Sequence, residues 1–179
     1  MTSRPRTLEE LIELAENSTR RYLLDEGRKE MAPQWHLISP DGKRDTIVIT
    51  PWDGDIQKQL AVAQVRDLSH RMGAVAVCFS TECWMLDTSR ANIPNTEWHR
   101  DRYLRAQGRP SRSPDRIEAV IFVAHDHSRT ICKTLQMVRD KPGGRLISLI
   151  DYAVPQEGSY ESWMLDGMIL PSAHNESSD

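Results

Sequence analysis

The sequence predicts an α+β fold, a single mostly antiparallel β-sheet with two main helices packed on one face. Three observations carry this. Segments of helical and strand periodicity are segregated, in the order helix, hairpin, helix, strand, long loop and three strands. The last three strand segments are separated by short polar breaks, the pattern of an antiparallel meander. The chain of 179 residues, 39% of them hydrophobic, is long enough for one core of ordinary size.

The first helix is expected from about Thr7 to Glu26. Thr7 and Glu10 have the spacing of a capping box, and Leu8, Leu11, Ile12, Ala15, Tyr22 and Leu23 recur at helical intervals as a core stripe, with Gly27 as the stop. Gln34 to Ser39 and Thr46 to Thr50 flank Pro40-Asp41-Gly42-Lys43, which reads as a hairpin turn. A second helix follows, with Asp55 as candidate cap, Ala61, Val65, Leu68 and Met72 along one face, and Gly73 at its end. Ala74 to Phe79 is an unbroken apolar run, too short for a helix and suited to the middle of a sheet, and it resumes at Cys83-Trp84-Met85-Leu86. A long loop spans about 87–115, without periodicity and with Pro94, Pro110 and Pro114. Strands are then expected at Arg116 to His125, Thr130 to Val138 and Arg145 to Tyr152, separated by Asp126-His127-Ser128-Arg129 and Lys141-Pro142-Gly143-Gly144. Near the C-terminus, Trp163, Met164, Leu165, Met168, Ile169 and Leu170 are the residues able to pack. The expected organisation is one domain over 1–171 and a disordered tail at 172–179.

Composition narrows the function classes. There are 23 Lys plus Arg against 26 Asp plus Glu, a formal net charge of −3, so no overall excess of either sign marks the chain as a nucleic-acid binder. No apolar run approaches the length of a membrane span, and charged residues occupy the N-terminus where a signal peptide needs its apolar region. The expectation is a cytoplasmic protein that does not enter membranes. Cys78, Cys83 and Cys132 form no C-x-x-C pair and are expected to be reduced and mostly buried.

Glu82 interrupts an apolar stretch. There a carboxylate must find a partner or take up a proton, which makes it either a functional-site candidate or an arginine-paired strand residue. His125-Asp126-His127 offers two imidazoles that would share a face, and could ligate one metal, if the strand ran through both. The spacing invites comparison with JAMM-type metalloproteases, but the nearest Ser-x-x-Asp, Ser148 to Asp151, lies across two expected turns. Asp115, Glu118 and Asp126 suggest a metal-dependent nuclease, yet the acidic-x-Lys partner of the PD-(D/E)xK pattern is missing. With no glycine-rich phosphate loop and no nucleophile elbow, no cofactor is expected, and His125 and His127 remain the metal alternative.

The 87–116 segment is the most distinctive stretch. It holds Arg90, Arg100, Arg102, Arg105, Arg109, Arg112 and Arg116 against Asp87, Glu97, Asp101 and Asp115, a local +3 that leaves −6 on the remainder. Guanidinium forks bind phosphate or carboxylate bidentately, and flat aromatic rings stack or anchor. Arg100, Arg102, Arg105, Arg109 and Arg112, with Trp98 and Tyr103, are therefore the candidate partner-binding residues. The matching partners are nucleic acid, an acidic protein or the chain's own acidic helices.

At Ser80-Thr81-Glu82-Cys83-Trp84-Met85 and Ser113-Pro114-Asp115-Arg116-Ile117-Glu118-Ala119-Val120 the chain resembles a group of uncharacterised bacterial and phage proteins. These carry a "SEAWM"-like strand, a loop and a "PDRxE"-like segment. Here Thr81 intervenes between Ser80 and Glu82, Cys83 replaces a small residue, and Ser113 stands where a histidine is usual. The resemblance covers about Ala74 to Val123. It implies a mobile-element or accessory setting and no particular reaction. If the two motifs neighbour each other, Glu82, Arg116 and Glu118 form a polar cluster in which Arg116 pairs with Glu82 or Glu118. The expectation is a non-enzymatic binding or regulatory protein of phage type that engages an acidic partner through its arginine-rich loop. The alternatives are a metal-dependent hydrolase and a self-associating structural domain, a homodimer packed through Trp163 to Leu170.

Overall fold

The structure, a computed structural model, describes residues 7–42, 44–49, 51–86, 114, 116–152, 165 and 167–169. Helix α1 (Leu8–Arg20) precedes strands β1 (Gln34–Ile38) and β2 (Arg44–Val48). Helix α2 (Asp55–Met72) follows, then β3 (Ala76–Leu86), β4 (Arg116–Asp126), β5 (Thr130–Arg139) and β6 (Leu146–Asp151). The six strands form one sheet in the order β2-β1-β3-β4-β5-β6, and every neighbouring pair is antiparallel. The α+β class, the single antiparallel sheet and the closing meander are those the sequence predicts.

Local chemistry accounts for the ends of the elements. Thr7 Oγ1 accepts the Glu10 N–H at 3.2 Å, so a side chain satisfies one of the unpaired donors of the first turn of α1. Past Arg20 the helix widens into one π-helical turn, Arg21–Asp25, closed by the Glu26 N–H on the Arg21 carbonyl at 3.0 Å. For α2 the cap position is Gly54, and the expected cap Asp55 is the first helical residue, where its charge complements the helix dipole. Gly73 ends α2 in the left-handed conformation at φ 59°, its N–H on the His70 carbonyl.

The two apolar runs around Ser80-Thr81-Glu82 are one strand. β3 pairs with β4 over all eleven residues, from Ala76↔Asp126 to Leu86↔Arg116, so Glu82 lies inside a continuous ladder opposite Val120.

The helices divide between the two faces of the sheet, a correction to the expectation that both cover one. Cys78, Val120, Phe122, Ala124 and Leu135 pack with Leu8, Leu11, Ile12 and Ala15 of α1. On the opposite parity, Trp35, Leu37, Val77, Phe79 and Val123 pack with Val62 and Val65 of α2. Adjacent strand residues point to opposite faces, so these sets are the two sides of the sheet. The physical reason is in the strands themselves. β1, β3 and β4 carry apolar residues at both parities, and a strand apolar on both sides needs cover on both.

The α2 face is closed further by the C-terminal residues. Leu165 and Met168 are buried there, the Ser69 hydroxyl donates to the Met168 carbonyl at 2.5 Å, and His70 Nε2 meets the Gly167 carbonyl at 2.5 Å. This part of the segment expected to mediate self-association is thus buried within its own chain. Among the described residues no helix is long and apolar enough to cross a membrane.

Candidate functional site

The polar interruptions of the α1 face gather at the end of the sheet where β3 stops and β4 begins. Glu82 on β3, Glu118 on β4 and Arg139 on β5 all occupy the parity that otherwise supplies that apolar core. The chain between the π-helical turn and β1 crosses this end and is bonded to it twice. The Met31 N–H donates to Glu82 Oε1 at 2.7 Å, and Arg139 donates to the Lys29 carbonyl at 3.0 Å.

Glu118 pairs with Arg139 and not, as expected from sequence, with Arg116. Arg139 Nε donates to one carboxylate oxygen at 2.7 Å and Nη2 to the other at 2.5 Å, while Nη1 reaches the Gly144 carbonyl at 3.1 Å. The two side chains are only 11% and 20% exposed. This bidentate geometry, with the remaining donors directed at carbonyls, is what offsets the cost of drying two charges. The Glu118 hydrogen bond, against the cost of burial, holds the guanidinium pKa above its ordinary value.

Glu82 has no such partner. Burial pushes its pKa up to about 7; the Met31 N–H bond pulls the other way, the neighbouring Glu118 charge raises it, Arg139 lowers it and Glu30 raises it. The neighbouring Glu118 carboxyl is closed off by its bidentate pair with Arg139.

Arg116 takes another role. Its guanidinium carbon lies 4.7 Å from the centroid of the Trp84 ring, a cation–π contact at the last rungs of the β3–β4 ladder. Trp84 is 44% exposed. The sequence therefore identified the three polar residues of this region and assigned the pairing wrongly. Arg139 was missed, although a signal exists: it continues the alternation Ile131, Lys133, Leu135, Met137, so it is a charge at an apolar parity, as Glu118 is on β4.

The other candidates are placed as follows. β4 ends at Asp126, so His127 lies in the turn and does not share a strand face with His125, whose Nδ1 is 2.9 Å from the Thr130 hydroxyl. Asp126 binds the turn itself, accepting from the Ser128 N–H and hydroxyl at 2.7 Å and the Arg129 N–H at 2.9 Å. Glu118 and Asp126 stand at opposite ends of β4, roughly 25 Å apart at strand rise, and cannot share a metal ion. No group of three ligating side chains occurs among the described residues. Arg100, Arg102, Arg105, Arg109, Arg112, Trp98 and Tyr103 lie outside the described residues.

A groove of about 650 Å³ runs between α1 and β5, lined by Glu9, Ile12, Glu13, Glu16, Ile131 and Lys133 among others. Glu9 is paired with Arg129 at 2.8 Å, and Glu16 with Arg20 at 2.8 Å and Lys133 at 2.6 Å, so most of its charge is already neutralised. No protein-family model, curated protein or solved structure matches the chain.

Proposed function

We propose that this is a non-enzymatic binding protein, of regulatory type, that engages an acidic partner through the arginine-rich segment between β3 and β4. The observation that supports the reading is the pairing of Leu86 with Arg116. Both ends of the segment leave the sheet at one rung, from two eleven-residue strands whose backbone is held along its whole length. A binding segment closed at its base by a rigid ladder loses less freedom on engagement than one hung between separate elements. The polar cluster at this end of the β3–β4 ladder is consistent with a scaffold: Glu118 and Arg139 satisfy each other, and the spare donors of Arg139 fasten the flanking chain.

The test replaces Arg102, Arg105 and Arg109 together by alanine and follows binding of a labelled oligonucleotide and of a polyglutamate peptide as salt is raised. The expected result is about tenfold weaker binding of the acidic ligand. For a single-stranded oligonucleotide the slope of log K on log salt should be shallower by roughly 2, as three phosphate contacts are lost. Unchanged affinity and an unchanged slope for both ligands would remove the arginine-rich segment from the binding surface.

A further inference from the structure

The chain that joins the π-helical turn to β1 is built as a strap. It starts at Gly27, whose φ of 66° is easy for glycine and strained for other residues, and it ends at Pro33, whose carbonyl accepts the Ile49 N–H at 3.1 Å. Between these two points residues 28–30 are exposed, while Met31 is buried with the Thr19 hydroxyl on its sulfur at 3.4 Å. Two hydrogen bonds tie the strap to the sheet: Arg139 donates to the Lys29 carbonyl, and the Met31 N–H donates to Glu82. The second tie ends on a titratable group. Among the described residues the charges that act on Glu82 are Glu118 from β4, Arg139 from β5 and Glu30 from the strap itself. The other groups around it are neutral near pH 7: Cys83, next on β3, has its thiol pushed up to about 11 by burial, β1 presents Gln34 on this face, and α1 presents the Thr19 hydroxyl.

Three carboxyls therefore share one guanidinium, and its donors are already spent on Glu118 and on the Lys29 and Gly144 carbonyls. A neutral Glu82 needs no more than the Met31 N–H it has. An ionised Glu82 has one amide donor for a full charge in a place shielded from water, with two further carboxylates beside it. Swinging the strap outward admits water to that charge and carries Glu30 away from it, at the cost of exposing Met31 and breaking the ties. We propose that residues 28–32 are a pH-sensitive strap, held on the end of the sheet through the Met31 N–H while Glu82 is neutral and released about Gly27, with the sheet intact, when Glu82 ionises. The direction follows from linkage. The held strap keeps the Glu82 proton up to about pH 7 against an ordinary value of 4.5, so the released form gains as pH rises through that interval.

The experiment measures amide hydrogen exchange of the native chain and of Glu82→Gln at about pH 5.5 and pH 8, each rate divided by that of the unfolded chain at the same pH. Met31 reports the strap, and Ala119 in the middle of β4 reports unfolding of the sheet. The expected result is that protection of the native Met31 amide falls about tenfold from pH 5.5 to pH 8 and stays well below that of Ala119. In Glu82→Gln, which keeps an oxygen for the Met31 N–H and has no charge to release, the fall should vanish. Native Met31 protection that is equal at the two pH values overturns the strap. So does Met31 protection equal to that of Ala119, because the amide then opens only with the whole sheet. A fall that persists in Glu82→Gln overturns the assignment of the switch to Glu82. The two tests on the native chain stand whether or not the variant folds.

Discussion

Arg139→Ala is expected to cost about 3–5 kcal/mol of folding stability, the range for removing one partner of a buried ion pair. The substitution strips Glu118 of both its hydrogen bonds and leaves the Lys29 and Gly144 carbonyls without their donor. The loss is greater than the net worth of the pair, because Glu118 remains dry, charged and next to Glu82 unless it takes up a proton. For a chain of this size the expected fall in melting temperature is roughly 10 °C. The double replacement Glu118→Leu with Arg139→Met removes both charges and should recover most of the loss, ending within about 2 kcal/mol of the native chain. Chemical denaturation of the three proteins at neutral pH measures this. If Arg139→Ala melted within a degree of the native chain, the cluster would contribute nothing to the scaffold.

Glu82→Gln is expected to stabilise the protein, and only on the alkaline side. The carboxyl has a folded pKa of about 7 against an ordinary value of 4.5, so the folded state holds its proton more tightly than the unfolded chain. Stability from this group is complete below about pH 4.5 and is lost as pH rises through about 7. The side chain is partly open to water, which reduces the full linkage value to about 2 kcal/mol. Glutamine keeps an oxygen for the Met31 N–H and has no charge to desolvate. Its stability should match that of the native chain near pH 4.5 and exceed it by about 2 kcal/mol at pH 8. Parallel stability curves for the two proteins across that interval would show that Glu82 ionises as freely when folded as when unfolded.

Much of the fold was legible because periodicity and turn chemistry are local. The Thr7 cap, the stop at Gly73 and the alternation of β4 and β5 require no knowledge of what lies across the sheet. The assignment of the helices to faces did require it. The unbroken run of β3 already implied burial on both sides, and that in turn implies one helix per side. The site divides in the same way. Glu82 stood out as a carboxyl among apolar neighbours, a property of its own strand. The pairing of Glu118 with Arg139 depends on the register of β4 against β5, and a sequence motif that joined Arg116 to Glu118 two residues away pointed to a neighbour along the chain. On a strand those two positions share a face, but the long arginine at the final rung lies over Trp84, two rungs from its partner residue Leu86. The histidines show the opposite error: His125 and His127 share a face only while the chain stays extended, and the strand ends between them at Asp126.

The Leu86–Arg116 rung has a consequence for how this protein can change over generations. The 29 residues of 87–115 begin and end at this rung. The entropy of closing such a segment grows only logarithmically with its length, so doubling it costs about 0.6 kcal/mol. That is a small fraction of the about 3–5 kcal/mol expected on breaking a buried pair such as Glu118–Arg139. On closure entropy alone, the sheet, with its own core on each face, can hold its stability while the segment lengthens or shortens. Changes of length between β3 and β4 are therefore expected to cost little folding stability while the two ladders stay in register.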